Sequence, residues 1–255
     1  MSNNIIHERF QYQENEAFVV KTSQANLNYE NDERVMSHWH EELEIVYMVN
    51  FGCSHYVEGR CVKSEPGDLV VVNPGAVHSI NVHNSHITDD GLGSIILLIH
   101  PQFLQKYFPQ YQMFDFTNEH MHLGEEVDHI MFQLARYTDR SEKTEYDHLY
   151  GEGLVMQILY YICQTGIRKK EKRAGQVSSG PIKEILAYIQ SHYDEPLNQD
   201  DIAEMFYISK SYFYKYFKRW TGLGFSQYVT QYRVEQARLA MINSEETIQE
   251  IAWKS

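Results

Sequence analysis

Four residues in the first third of the chain carry side chains that bind metal ions or small polar ligands. His38, His40 and Glu44 are separated by even numbers of residues, and His78 follows after a gap. Because alternate residues of an extended strand face the same side, this spacing predicts that the first three side chains point into one interior. Imidazole and carboxylate groups suit a divalent transition metal, a polar effector or a structural hydrogen-bonded cluster. The spacing alone leaves these three interpretations open.

A second set of residues, near the C-terminus, has the chemistry to contact nucleic acid. A helix over this segment would carry hydroxyl and ammonium groups along one stripe, at Ser211, Tyr214, Lys215 and Lys218. Three further polar residues flank the stripe: Lys210, Tyr212 and Arg219. Such groups can reach base edges in the major groove and hold phosphates beside it, although an ordinary solvated helix face has the same pattern.

The charge distribution bears on this second set. The formal net charge of the chain is −13, and an acidic surface is repelled by a duplex. Residues 207–234, in contrast, contain no Asp or Glu and five basic residues. We therefore expect DNA binding to be confined to this segment and to depend on dimerisation and on shape.

Short strands must position the first set. Four β-rich or apolar runs, separated by turn-forming residues, occupy residues 43–49, 53–59, 68–73 and 94–99. Their regular spacing predicts a barrel or sandwich. Apolar residues at helical spacing in 125–137 and 150–163 predict a helical hairpin packed on the barrel, and residues 125–165 are the expected dimer interface.

Two short helices and a tight turn must position the second set. Residues 166–180 are charged and then rich in Gly and Ser, which predicts a linker before a helix that opens at Pro181. Asn198 and Ser209 are the expected N-caps of the next two helices, and Gly222 the expected end. The second helix would bury Phe213, Phe217 and Trp220. This arrangement is typical of a DNA-binding helix-turn-helix.

Residues 182–255 resemble the DNA-binding domain of the AraC/XylS family of transcription regulators. The resemblance implies two helix-turn-helix motifs joined by a long helix, here residues 226–242. It implies base contacts by Ser211, Tyr212, Tyr214 and Lys215, and backbone contacts by Lys210, Lys218 and Arg219. Thr247 and Glu250 form a capping box that opens the second motif, but the sequence ends before its recognition helix. We therefore expect an incomplete domain that binds its operator weakly.

The N-terminal half resembles the cupin superfamily. The sequence Gly67-Asp68, followed by Pro74-Gly75 and His78, matches the second cupin motif, with the proline one place late. In regulators this resemblance implies a pocket for a sugar or similar effector, at His38, His40, Glu44 and His78. In enzymes of the superfamily it implies a metal on the same four residues. Trp39, Tyr47 and Tyr56 could stack on a sugar, although strand aromatics are usually core.

Together these features predict an α+β chain: a cupin-like barrel with a helical hairpin, then an all-α helix-turn-helix domain whose second motif is truncated. The expected domains are residues 1–165 and 181–255, with the linker between them. The predicted function is a sequence-specific transcription regulator that responds to a small molecule, most simply a carbohydrate, and is not an enzyme. The alternative is a metal-dependent cupin enzyme fused to a helical domain.

The remaining expectations concern partners and location. We expect operator DNA, a second copy of the chain and RNA polymerase as partners, with no cofactor and no membrane. Three cysteines without metal or redox spacing, and the lack of a signal-like N-terminus, predict a cytoplasmic protein. Nine other histidines, among them His55, share no common face and are expected at the surface.

Overall fold

The strands of the N-terminal half form two antiparallel sheets. The computed structural model describes residues 17–24, 34–83, 91–116, 121–138, 144–169, 180–243 and 247–254. The first eight strands are β1 (Phe18–Gln24), β2 (Arg34–His38), β3 (Leu43–Met48), β4 (Gly52–Val57), β5 (Arg60–Ser64), β6 (Leu69–Val72), β7 (His78–His83) and β8 (Leu92–Ile99). One sheet has the order β1-β8-β3-β6 and the other β2-β7-β4-β5. We call the two sheets together the barrel.

The outer face of the first sheet packs against helices. After β8 come α1 (Pro101–Tyr107), β9 (Phe114–Phe116), α2 (Glu125–Thr138), α3 (Asp147–Gly166) and β10 (Ile167–Lys169), which pairs with β9. Leu43, Ile45 and Tyr47 of β3 contact the apolar side of α2 and α3 in one large core. The helical hairpin is therefore confirmed, because the stripes that predicted it are the buried faces.

The interior of the barrel has an apolar part and a polar part. Val46, Met48, Phe51, Cys53 and Ile80 form an apolar cluster between the sheets. The polar part holds buried residues of several strands and of the segment after β2: His38, His40, Glu44, His55, Ser64 and His78. Buried polar groups need hydrogen-bonding or charged partners, so this part of the interior is built around a specific arrangement of donors and acceptors.

The ladder between β2 and β7 is irregular. Val35 pairs with Ile80, but His38 pairs with His78, so the register shifts between Val35 and His38. Such a shift places an additional residue on one strand and changes which side the following side chains face. His38 then lies directly opposite His78 on the neighbouring strand.

The C-terminal half is helical. Its elements are α4 (Gly180–Ser191), α5 (Gln199–Met205), α6 (Lys210–Thr221), α7 (Phe225–Asn243) and α8 (Ile248–Lys254). Phe213, Phe217 and Trp220 of α6 are buried in a core shared with α4, α5 and α7. The helix-turn-helix of α5 and α6 therefore has the predicted buried face.

The predicted helix ends are mostly confirmed. Asn198 caps α5 by accepting a hydrogen bond from the Asp200 amide, and Gly222 ends α6 at a φ of 73°. Thr247 and Glu250 form the predicted capping box. The prediction for Ser209 was wrong in one respect, since it holds the N-cap position of α6 but its side chain makes no capping hydrogen bond.

Within the described ranges, no helix has both the length and the apolar character that a membrane span requires.

Phe217 gives a direct test of this helical core. Its side chain is fully buried against the rings of Phe213, Phe225 and Tyr228. Phe217→Ala should lower the free energy of unfolding by about 3–5 kcal/mol, because it removes buried area and leaves a cavity. Tyr214→Ala on the exposed face of the same helix is the control, with an expected change within about 0.5 kcal/mol. Urea unfolding measures both, and equal losses would contradict the assignment of the two faces.

Candidate functional site

Four polar side chains meet inside the barrel. His38 at the end of β2 and His78 at the start of β7 are paired across the two strands, His40 follows β2, and Glu44 reaches in from β3 of the other sheet. The ligating atoms of these four residues all lie within 4.8 Å of one another. All four are buried. The structure therefore brings together the residues predicted from their spacing, and we call them the four-donor cluster.

Hydrogen bonds orient the imidazoles of the cluster. The backbone carbonyls of Met36 and Ala76 each lie 2.9 Å from the Nδ1 of the histidine two residues later, His38 and His78 respectively. A carbonyl only accepts, so each Nδ1 carries the proton and each Nε2 is left with its lone pair in the neutral ring. These backbone contacts thus present the Nε2 atoms to the interior.

The Glu44 carboxylate lies at the centre of the cluster. Its Oε2 atom is 2.7 Å from Nε2 of His40, which donates to it, and 3.3 Å from Nε2 of His78. In the neutral tautomer just described, Nε2 of His78 is an acceptor, and so is Oε2 of Glu44. A second proton on the His78 ring or a cation between the atoms is needed to make their approach favourable.

Burial and neighbouring charges set the protonation of the cluster. Burial, reinforced by His78, lowers the pKa of His38 to about 3. Burial raises the pKa of Glu44, but the charge of His78 and the hydrogen bonds of His40 and His78 outweigh it and hold that pKa well below its usual value. At neutral pH the cluster therefore contains a neutral imidazole at His38 and an ionised carboxylate, which are the metal-binding forms of both groups.

The dimensions of the cluster fit a cation. Ligand atoms about 2.1 Å from one transition-metal ion lie at most about 4.2 Å apart, so the four donors, which lie within 4.8 Å of one another, need only a small rearrangement to bind one ion. A further buried carboxylate, Glu42, is 3.5 Å from Nδ1 of His40 and adds negative charge. The residues present thus fit a divalent transition metal.

His55 is a fifth histidine of this interior, and the expectation that it lies at the surface was wrong. It is buried, its Nε2 is 3.0 Å from the Ser64 hydroxyl, and burial lowers its pKa to about 4. The charge of Glu44 raises this pKa and the charge of His78 lowers it, but both effects are smaller than that of burial. Its position two residues before Val57, the β4 partner of His78, puts it on the inward face. Strand parity would have identified it.

The three aromatic residues considered for sugar stacking face away from this interior. Tyr47 packs on Phe132 of α2, and Tyr56 lies against Gly222 at the end of α6. Trp39 packs against the core of the helical half, where its ring is 4.0 Å from Nζ of Lys183. The barrel interior therefore receives no stacking surface from these residues.

The exposed face of α6 carries the second predicted site. Phe213 and Phe217 are buried, while the predicted contact residues are exposed: Lys210, Ser211, Tyr212, Tyr214, Lys215, Lys218 and Arg219. Their hydroxyl and cationic groups are therefore presented to solvent by a helix anchored on its other side. This is the arrangement that a recognition helix requires.

Two of the cations on α6 have partners within the protein. Lys210 forms a 2.7 Å ion pair with Asp200 of α5 and also faces Asp201 and Glu204. Arg219 donates from Nε to the carbonyl oxygen of Gly59, 3.1 Å away in the turn between β4 and β5. Sequence reasoning could not distinguish these two residues from Lys215 and Lys218, because the pattern of α6 alone does not show which partners the fold brings to it.

Comparison with known families covers both halves of the chain. A model described as the AraC-like ligand binding domain matches residues 26–159, which is more than half of the chain, and one described as a helix-turn-helix domain matches residues 202–255. The chain belongs to the AraC family. It is therefore a DNA-binding transcription regulator with a ligand-binding domain, and it is not a cupin enzyme.

This AraC-family regulator is similar to several known proteins at low sequence identity. YdeC of Bacillus subtilis, an HTH-type transcriptional regulator, is 22% identical over 92% of this chain and 82% of its own. A regulator of the same type from Staphylococcus aureus is 23% identical over 84% of this chain, which spans 28% of that relative. Among solved structures, an apo form of ToxT from Vibrio cholerae is similar with a TM-score of 0.48 and 13% identity, over 96% of this chain and 90% of ToxT.

Proposed function

We propose that this regulator reads DNA through the exposed face of α6 and that its effector is a divalent transition cation bound by the four-donor cluster. The separation of the donors carries the second part of the proposal. Four buried ligand atoms within 4.8 Å of one another are close to the spacing in the coordination sphere of one ion. The family assignment supports the first part, together with the exposure of the predicted contact residues.

Each residue of the cluster has a distinct part in this proposal. The Nε2 atoms of His38 and His78, fixed by the carbonyls of Met36 and Ala76, supply neutral ligands. Glu44 supplies the negative charge, and His40 would supply a third neutral ligand through Nε2 once its ring proton moves to Nδ1, which lies 3.5 Å from the Glu42 carboxylate. When bound, a cation contributes positive charge and fixed geometry between the two sheets.

A carbohydrate effector is the second candidate, and it remains a prediction from the resemblance to sugar-binding regulators. The barrel half matches a ligand-binding family, which supports a small-molecule effector of some kind. The outward placement of Trp39, Tyr47 and Tyr56 removes the stacking contacts that a sugar would use.

A thermal-shift screen distinguishes the two effectors. Zn²⁺ or Co²⁺ at about 100 times its Kd should stabilise the fold by about 2.7 kcal/mol, which raises Tm by about 5–10 °C in a chain of this size. Glu44→Gln should abolish the shift, because the cluster loses its charged ligand. Glu65→Gln, at an exposed carboxylate, is the control and should shift like the wild type. A shift with a mono- or disaccharide and none with metals would favour the sugar instead.

The pairing of Lys210 with Asp200 predicts unequal contributions to DNA binding. Lys215→Ala should weaken binding and reduce the slope of log K against log salt by about 0.9, the value for one lost phosphate contact. Lys210→Ala should have a smaller effect, because Asp200 already neutralises that ammonium. Anisotropy titrations over a salt series, with a duplex selected by the wild type from a random library, measure both. An unchanged Kd and slope in Lys215→Ala would indicate that this face binds something other than DNA.

The exposed face of α3 supports a homodimer. Tyr146, Leu149, Met156 and Tyr160 lie on one helical stripe with 40–66% of their surface exposed, and an added Cβ at Gly153 between them would meet nothing within 4 Å. A stripe without charge, centred on a glycine, suits close two-fold packing against the same stripe of a second copy. We therefore propose α3 as the dimer interface.

A charge on this stripe tests the dimer. Leu149→Lys should raise the dimer dissociation constant by at least about tenfold, since a buried unpaired charge costs more than about 1.4 kcal/mol. His148→Lys adds the same side chain about 100° away around the helix and should leave the association unchanged. Sedimentation equilibrium measures both variants. A wild type that stays monomeric at high micromolar concentration would rule out this interface.

We propose the cytoplasm as the location, since a bacterial regulator must reach DNA there. The three cysteines Cys53, Cys61 and Cys163 form no disulfide in the structure, in keeping with a reducing compartment. Contact with RNA polymerase stays a prediction from the family resemblance.

A further inference from the structure

The helical half of the protein packs directly behind the four-donor cluster. Met36, Trp39 and Val77 belong to the same apolar core as α4, α6 and α7. In sequence these three residues flank the ligands His38, His40 and His78. The two segments that carry the ligands therefore also form part of the docking surface for the DNA-binding helices.

Trp39 belongs to a segment that both carries ligands and contacts the DNA-binding half. The residues on either side of it, His38 and His40, point into the barrel. The Trp39 ring faces outward and receives Nζ of Lys183 from α4 at 4.0 Å from its centroid. A cation this close to an indole face is attracted by the ring quadrupole. One contact thus joins the first helix of the DNA-binding half to the segment that carries two ligands.

Lys183 also contacts the segment that leads to the third imidazole ligand. Its Nζ donates to the carbonyl oxygen of Gly75 at 2.7 Å, three residues before His78. The amide of Gly75, whose φ is +75°, in turn donates to the carbonyl of His40 at 2.7 Å. Lys183 therefore holds both imidazole-bearing segments from outside, at a point where they are hydrogen-bonded to each other.

The charged groups around Lys183 keep it in place. Glu58 and Glu41 both attract its ammonium, and Glu58 also accepts a hydrogen bond from the Val77 amide at 2.9 Å. The end of α6 docks nearby through Arg219 on Gly59 and through Ser79, whose hydroxyl lies 3.4 Å from the carbonyl of Thr221. A displacement of this barrel face would therefore change the contacts that position α4 and the recognition helix α6.

We infer that Lys183 is the positioning residue through which occupancy of the four-donor cluster controls the docking of the DNA-binding half. The inference rests on the proposed cation function of that cluster. Binding one ion requires the most widely spaced donors, which are within 4.8 Å, to approach to about 4.2 Å or less, and it opens the 2.7 Å contact between His40 and Glu44. This convergence moves the segments around His40 and His78 relative to each other, and Lys183 bridges those two segments on their outer side. The docked arrangement then has a different affinity for the ion from the undocked one, which is the requirement for coupling.

Hydrogen exchange of the full chain tests this coupling, with Zn²⁺ as the probe. In the wild type, Zn²⁺ should slow amide exchange in α4 and at the end of α6 by about fivefold or more, the lower range of allosteric coupling. Lys183→Met should still bind Zn²⁺, with a Kd changed by no more than about the fivefold coupling factor, but it should lose this slowing, because the side chain keeps its apolar stem and loses its charge. Lys183→Arg, which retains a donor and a cation over Trp39, should restore it.

Controls separate coupling from damage to the fold. Lys106→Met removes a lysine that lies 4.6 Å from the Tyr107 ring within the barrel half, and it should respond to Zn²⁺ like the wild type. Trp39→Leu removes the ring at the other end of the contact and should lose the response as Lys183→Met does. Zn²⁺ binding with an unaltered exchange response in Lys183→Met would overturn the coupling while leaving the cation site intact. Failure of the wild type to bind Zn²⁺ or the other transition cations would overturn both proposals.

Discussion

The burial of one carboxylate, that of Glu44, constrains much of the barrel. Removing an ionised carboxylate from water costs several kcal/mol unless partners compensate it. Here the compensation comes from the other sheet and the segment after β2, through His40 at 2.7 Å and His78 at 3.3 Å. The two sheets are therefore joined by a polar contact as well as by the apolar cluster around Val46 and Ile80. The backbone carbonyls of Met36 and Ala76, which orient the rings of His38 and His78, complete this arrangement around Glu44.

In the polar contacts between the two halves, cationic side chains of the helical half bind acceptors on the acidic barrel half. The barrel is the acidic part of the protein, and the segment proposed to contact DNA is locally basic. Contacts between the halves use backbone carbonyls as acceptors for Lys183 and Arg219. Carbonyl acceptors supply no full opposite charge, so each of these hydrogen bonds is of moderate strength, and the carboxylates of Glu58 and Glu41 add attraction at Lys183. Moderate contacts suit a regulator, because an effector of ordinary affinity can shift them.

Sequence reasoning predicted the elements with strong periodicity. The apolar runs of β3, β6 and β8 and the stripes of α2, α3 and α6 lie where their patterns indicated. It did not predict β1, β2, β5, β7, β9 or β10; in β2, β5 and β7 the polar and charged residues resemble a loop when the neighbouring strand is unknown. The spacing grouped His38, His40 and Glu44 as the structure does, but the argument from the parity of one strand was wrong, because these residues lie on β2, on the segment after it and on β3 of the other sheet. Lys183 was not identified, because its partners Trp39 and Gly75 are more than 100 residues away.

The register shift between Val35 and His38 has a consequence for how this protein can vary among its relatives. Met36 and His38 are two residues apart, yet Met36 packs with the DNA-binding helices and His38 lies inside the barrel. A regular strand would turn both side chains to one side. A substitution in this segment alters one contact. Deletion of one residue would instead remove the register shift and misplace the side chain of either His38 or Met36. The spacing of these few residues is therefore under stricter constraint than their identity.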